Sequence, residues 1–177
     1  ECLRTFEGHK AAVNSVCLSV DGSRALSGSD DYTLRMANLA TGQCLRTFVG
    51  HSGLVKAVHL STDRRLSLSG SSHNTVKLWD AATGKCLRTF MSHRGGIHSV
   101  CLSRDGCHAL SGSGDKTVKL WNILPPADEF VAPTQLSGMQ TGDLVFKNHC
   151  AFRECLGLAN DERRREDYRK CASLVRQ

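Results

Sequence analysis

No stretch of the 177-residue chain approaches the run of ~18 uninterrupted apolar residues that a membrane-crossing helix needs, so no such span is expected. The opening residues, Glu1 to Phe6, lack both a starting Met and the basic and apolar blocks of a secretory leader, and the chain is expected to begin partway along a longer array. A dense basic stripe is missing as well. Residues 1–128 hold fifteen Lys or Arg against ten Asp or Glu, and the remainder eight against seven, which divides the net charge of +6 into +5 and +1. So mild a bias argues against a nucleic-acid binder, though it would help an acidic partner approach.

What is present is repetition. Cys-Leu-Arg-Thr-Phe starts at Cys2, Cys44 and Cys86, a constant period of 42 residues without insertion, which points to stacked units and not to one irregular core. The third unit reads as four strands, Cys86–Phe90, Ile97–Leu102, Ala109–Ser113 and Thr117–Trp121, with turns at Asp105-Gly106 and Asp115-Lys116. Cys2–Phe6, Val13–Leu18, Arg24–Ser29 and Thr33–Asn38 form the first set. The second is Cys44–Phe48, Val55–Leu60, Leu66–Ser71 and Thr75–Asp80.

The pairs Gly8-His9 and Gly50-His51, the Trp79-Asp80 ending and the period itself resemble the WD40 repeat, the blade of a β-propeller. The resemblance implies an all-β fold: a partial propeller of three four-stranded blades, residues 1–122 divided as 2–43, 44–85 and 86–122. It further implies a buried chain of four side chains in each blade. Blade three has the full set in His93, Ser111, Asp115 and Trp121; blade two has His51, Ser69 and Trp79 with His73 in the acidic place; blade one has His9, Ser27 and Asp31 with Ala37 in place of the indole. Because a truncated buried Trp costs about 3–5 kcal/mol, blade one is expected to be the least well packed. Ser92-His93 replaces Gly-His in blade three, and Arg64 stands where the other copies have Gly22 and Gly106, at a turn where only Gly adopts positive φ cheaply.

His, Ser and Asp together invite a hydrolase reading. The trio recurs in each copy, however, its Ser lies mid-strand, and no Gly-x-Ser-x-Gly elbow accompanies it, so the expectation is structural bonding with no enzyme activity, cofactor or metal. Function is expected on the rim where the loop before each inner strand meets the tight turn after the third strand. Its residues are Lys10, Asn14, Asp30 and Tyr32 in copy one, Ser52, Leu54, Lys56, Ser72 and Asn74 in copy two, and Arg94, His98 and Lys116 in copy three. These support a non-catalytic scaffold or regulatory module, a segment of a longer propeller, that takes a protein or peptide partner at the rim. The alternative is a nucleic-acid-binding module on the mildly basic face. Unpaired blade edges at both ends invite self-association.

Nine cysteines are an odd number, and Cys2, Cys44 and Cys86 occupy one equivalent position that side-by-side blades hold too far apart to bridge. They are read as buried thiols in a reducing compartment, cytoplasm or nucleus. Past Asn122 the period stops: Pro125-Pro126 cannot feed a ladder, 123–147 reads as a linker with an edge strand near Phe130, and 148–177 as a helical tail whose second helix runs from about Asp161 to Arg176. His149, Cys150, Cys155 and Cys171 lack a familiar zinc spacing, and Arg163 to Arg165 are bracketed by acidic residues, which suits a solvated helix face.

Overall fold

Leu66-Ser-Leu-Ser-Gly-Ser71 alternates apolar and small polar residues, a pattern that a strand covered on both faces can hold, and in the computed structural model every one of the six is buried. The model describes residues 1–123; the expected linker, edge strand and helical tail lie outside the described residues. Eleven strands follow in chain order: β1 (Val13–Leu18), β2 (Arg24–Ser29), β3 (Leu34–Asn38), β4 (Cys44–Phe48), β5 (Val55–Leu60), β6 (Leu66–Ser71), β7 (Val76–Asp80), β8 (Cys86–Phe90), β9 (Ile97–Leu102), β10 (His108–Ser113) and β11 (Val118–Asn122). They form antiparallel sheets in the orders β1-β2-β3-β4, β5-β6-β7-β8 and, with three strands among the described residues, β9-β10-β11. The innermost strands β1, β5 and β9 lie against one another in sequence, so the sheets fan from a common side.

The outer strand of each sheet comes from the start of the next copy: β4 pairs with β3, and β8 with β7. Cys2–Phe6, the equivalent segment of copy one, was expected as a strand and is not one. A strand needs a ladder partner, and among the described residues this segment pairs with none. Arg4 instead donates to the Ala40 and Thr41 carbonyls at 3.0 and 3.2 Å. The cysteines on these segments also depart from expectation. Cys2 and Cys44 are exposed and Cys86 only half-buried, because the outer strand has no neighbour beyond it to cover the face on which the thiols lie.

Packing between sheets repeats with the sequence. Leu26, Leu34 and Met36 of the first sheet share one buried cluster with Val55, Val58 and Leu60 of the second. Forty-two residues on, Leu68, Val76 and Leu78 are buried on the second sheet and Ile97, Val100 and Leu102 on the third. Glycine permits the close approach. A Cβ at Gly28 would lie 2.6 Å from Val55, and one at Gly70 would lie 2.4 Å from Ile97.

Arg64 does adopt positive φ, 62°, beside 66° and 70° at Gly22 and Gly106. Non-glycine residues held there store strain of about 1–3 kcal/mol. Its guanidinium reaches back to Asp21 of the first sheet, whose carboxyl is lowered to about 2, chiefly by the Ser19 and Ser23 hydroxyls with Arg64 adding to them.

One buried hydroxyl in this core has no partner. Ser67 Oγ is fully buried and unbonded, at a position filled by Ala25 and Ala109 in the other copies. Since an unsatisfied buried polar group costs about 1–3 kcal/mol, Ser67→Ala should raise the unfolding free energy by roughly 1 kcal/mol in urea melts. An unchanged or lowered midpoint would show that the hydroxyl is bonded.

Candidate functional site

Two sets of side chains recur in register, one inside each sheet and one on the rim. Inside sheet three, Trp121 Nε1 donates to Ser111 Oγ at 2.7 Å, Ser111 Oγ lies 2.7 Å from His93 Nε2, and His93 Nδ1 lies 2.8 Å from Asp115 Oδ2. The order of donors is fixed by chemistry: a carboxylate only accepts, so Nδ1 carries the proton and Nε2 accepts from a serine that itself accepts from the indole. Asp115 also accepts from the Thr117 hydroxyl at 2.6 Å and from the Arg94 and Thr117 amides. Led by the Thr117 hydroxyl bond, these hold its carboxyl far below the usual range against an opposing burial effect. Ser69 and Ser111 are buried within these chains, out of a substrate's reach.

Sheet two keeps part of the chain. Trp79 Nε1 donates to Ser69 Oγ at 2.8 Å and Ser69 lies 2.6 Å from His51 Nε2, but His51 Nδ1 has only the Thr75 hydroxyl at 3.5 Å. His73 is exposed and lies 3.3 Å from the Ser52 hydroxyl. Burial, with Lys77 nearby, lowers the His51 pKa to about 4.

Sheet one keeps His9 between Ser27 and Asp31, both at 2.8 Å. Burial pushes the Asp31 carboxyl up, but bonds from the Thr33 hydroxyl, the Lys10 amide and His9 outweigh it and leave it far below the usual range. No indole reaches Ser27, and Phe6 stays exposed where Phe48 and Phe90 pack on Trp79 and Trp121. The Arg35 guanidinium lies over Gly8, its Nη1 only 2.0 Å from where a Cβ would be, whereas the Trp79 ring edge lies over the equivalent Gly50. Gly8 and Gly50 have φ of 125° and 147°. Arg35 thus occupies ground that an indole edge takes in sheet two, and leaves its Nε buried without a hydrogen-bond partner.

On the rim, one backbone bond per sheet ties loop to turn: Asp30 N to Ala12 O, Ser72 N to Leu54 O and Gly114 N to Gly96 O, each 2.9 Å. In every copy the inner strand carries a bulge, between Val13 and Ser15, between Val55 and Ala57, and opposite Gly112 and Ser113. The unpaired residues are Asn14, Lys56 and His98. A bulge re-aims the side chain it bears: Lys56 meets Asn14 and Asp30, while His98 lies beside Gly114 of its own sheet. Sequence reasoning placed them early in the inner strands but missed the bulge, which has no composition signal. Tyr32, Asn74 and Lys116, one per tight turn, adopt positive φ of 69°, 62° and 67°.

The rim residues do not share one role. Asn14, Asp30 and Lys56 bind one another across the first two sheets: Lys56 Nζ to Asp30 Oδ1 is 2.9 Å, Asn14 Nδ2 to the same oxygen 2.6 Å, and Asn14 Nδ2 to the Val55 carbonyl 2.9 Å. Asp30 is lowered by the Lys56 bond first and the Asn14 bond second. Only Asn14 and Lys56 stand one period apart, and the sequence reading, which assigned all three residues to the rim, carried no signal for this clamp. Lys10 and Arg94 lend their backbone amides to Asp31 and Asp115. Lys10, Tyr32, Ser52, Arg94, His98 and Lys116 are exposed, and Leu54, Ser72 and Asn74 half-buried. Over sheet three, Arg94 and Lys116 make no ion pair among the described residues. No group of three or more His, Cys, Asp or Glu among the described residues is placed to hold a metal ion.

Two measurements test the buried chains. The unfolded chain binds a proton on an ordinary histidine near 6.5 that folded His51 refuses until about 4, so stability falls as pH drops through that window. His73→Asp, whose amide already meets Ser71 Oγ as the Asp31 and Asp115 amides meet Ser29 and Ser113 Oγ, should add roughly 1–2 kcal/mol at pH 7 and flatten that fall; an unaltered pH profile would refute the pairing. Ala37→Trp should stabilise sheet one by roughly 1–3 kcal/mol, but only with Arg35→Lys to vacate the site, and urea melts of the single and double variants separate the two cases.

Comparisons with known proteins agree with this geometry. A family model described as the WD domain, G-beta repeat (WD40) matches residues 1–38, 42–80 and 84–122. The vegetative incompatibility protein HET-E-1 of Podospora anserina is 49% identical over 41 residues, 23% of this chain; the chain spans only 3% of that relative's length. Among solved structures, the crystal structure of RRP9 WD40 repeats superposes with a TM-score of 0.65 at 26% identity, covering 68% of this chain and 38% of that one. With three in-register matches that span most of the sequence, the chain belongs to the WD40 repeat family.

Proposed function

We propose that the chain is a non-catalytic interaction module that takes an acidic protein or peptide segment on the rim over sheet three, acting as a scaffold or regulatory part of a larger assembly. WD40 repeats generally mediate protein–protein interaction or regulatory scaffolding. The observation that carries the finer reading is the pairing of charge. At the junction of the first two sheets Lys56 is neutralised by Asp30, whereas Ser72 and Gly114 stand in the acidic place of the second and third sheets, and Arg94, Lys116 and His98 are exposed with no carboxylate paired to them among the described residues. Asp115 is committed to His93. A carboxylate supplied in trans would meet two cations held on one rigid rim, and rigid edges bind with less ordering cost.

The expected setting is a reducing compartment, cytoplasm or nucleus. Cys2, Cys17, Cys44, Cys86, Cys101 and Cys107 are all free thiols, and three of them are exposed.

An array of acidic fifteen-residue peptides probed with the labelled chain tests the rim. Arg94→Glu with Lys116→Glu should weaken binding at least about tenfold and lower its salt dependence. Lys56→Glu should act on stability instead, because it breaks the clamp to Asp30. Binding that ignores the double reversal would overturn the reading; retention of nucleic acid but of no peptide would favour the basic-face alternative.

A further inference from the structure

Identical residue types, one repeat apart, differ sharply in exposure according to which sheet lies beside them. Leu68, Val76 and Leu78 of sheet two are 0%, 0% and 2% exposed, while their counterparts on sheet three, Leu110, Val118 and Leu120, are 44%, 73% and 66% exposed. At the other end of the fan, Val13, Val16 and Leu18 are 50%, 73% and 64% exposed, although Val55, Val58 and Leu60, and then Ile97, Val100 and Leu102, are at most 7%. The two open faces are therefore the two halves of a contact that the chain already makes twice within itself. Gly112 supports this. Its counterparts Gly28 and Gly70 admit Val55 and Ile97 so closely that a Cβ would clash, whereas a Cβ at Gly112 meets nothing nearer than Ser99 at 4.0 Å. The place that Val55 and Ile97 take over Gly28 and Gly70 is thus open over Gly112, and Val13 is the equivalent residue of the first inner strand.

Protection against such contact is lacking. Solvated sheets usually carry Lys or other charges on an open strand, yet β1 and β10 contain no Lys, Arg, Asp or Glu, and β11 has only Lys119, which alternates with Val118 and Leu120. Apolar patches of this kind on a sheet mark an interaction surface.

We propose that a second copy of this chain occupies both faces, Val13, Val16 and Leu18 of one copy covering Leu110, Val118 and Leu120 of the other, with Val13 entering the Gly112 slot. A head-to-tail contact must close or grow without limit. Propellers have about 4–8 blades, so two copies of three blades fall inside that range and three copies fall outside it. The assembly is a pair of chains with two equivalent junctions. It leaves the rim over sheet three free, and so goes beyond the binding proposed there.

Light scattering on the full 177-residue chain should give twice the 19.3 kDa chain mass. Val16→Asp and Val118→Asp, both at exposed positions and so compatible with the folded chain, should each be monomeric. Mixed in equal amounts they should form a heterodimer, because one of its two junctions carries neither substitution. Gly112→Ala should leave the circular dichroism unchanged and weaken the pair at least about tenfold. A folded wild-type monomer up to roughly 100 μM, including one in which residues 124–177 cover the open face, would overturn the proposal, as would failure of the two variants to complement. Acidic-peptide binding by the Val16→Asp monomer separates this outcome from any failure of the rim.

Discussion

A residue on the face of a β-sheet is buried only as far as the neighbouring sheet covers it, and this chain depends on that constraint at every level. A four-stranded sheet of some 42 residues has too little interior to bury both of its faces by itself. Sheet two, flanked on both sides, hides Leu68 and Trp79 completely; sheets one and three, flanked by one sheet among the described residues, each expose apolar residues on the other face. At positions where the copies share residues, as at Leu68 and Leu110 or Val76 and Val118, the difference lies in position along the fan.

Strand placement was legible because the period and the turn residues report on local structure. Val13–Leu18, Arg24–Ser29, Val55–Leu60, Leu66–Ser71 and Ile97–Leu102 all fall where spacing put them. Less legible was anything set by a neighbour. Cys44 looks like a core thiol in one dimension and is exposed because it lies on an outermost strand. Cys2–Phe6 has the sequence of β4 and β8 but no ladder to join. The bulges under Asn14, Lys56 and His98 escaped for another reason: three different residue types occupy them, and what they share is backbone register.

Where the copies diverge, the structure shows two kinds of consequence. At His73 the loss of a carboxylate is uncompensated, and His51 is left neutral in a buried site with its Nδ1 poorly matched. At Ala37 the loss of an indole is partly filled by Arg35, which exchanges a satisfied indole N–H for a buried nitrogen with none. Arg64 falls between these cases. It carries strain that glycine would avoid and in return joins the second sheet to Asp21 of the first, although an exposed ion pair typically contributes only about 0–1 kcal/mol.

These departures cluster away from one place. Sheet three has the complete hydrogen-bonded chain, glycine at its turn, and two exposed cations tied to Asp115: Lys116 on its turn, and Arg94 in the loop whose amide binds its carboxylate. The Arg94 amide and the Thr117 hydroxyl both bind that carboxylate, so the backbone bearing the cations on either side of it is fixed from within. A cation on a mobile loop would lose much of its attraction to ordering cost; one braced by a buried histidine loses less. The buried chain thereby fixes the backbone of the rim above it, which supports the binding proposed there. In sheet two the same brace is broken at His73; Ser52, Ser72 and Asn74 carry no charge there, and the rim cation Lys56 is held by Asp30 of the first sheet. Cations without an ion pair among the described residues thus stand over the sheet whose brace is whole, and this coincidence supports the binding proposed at that rim.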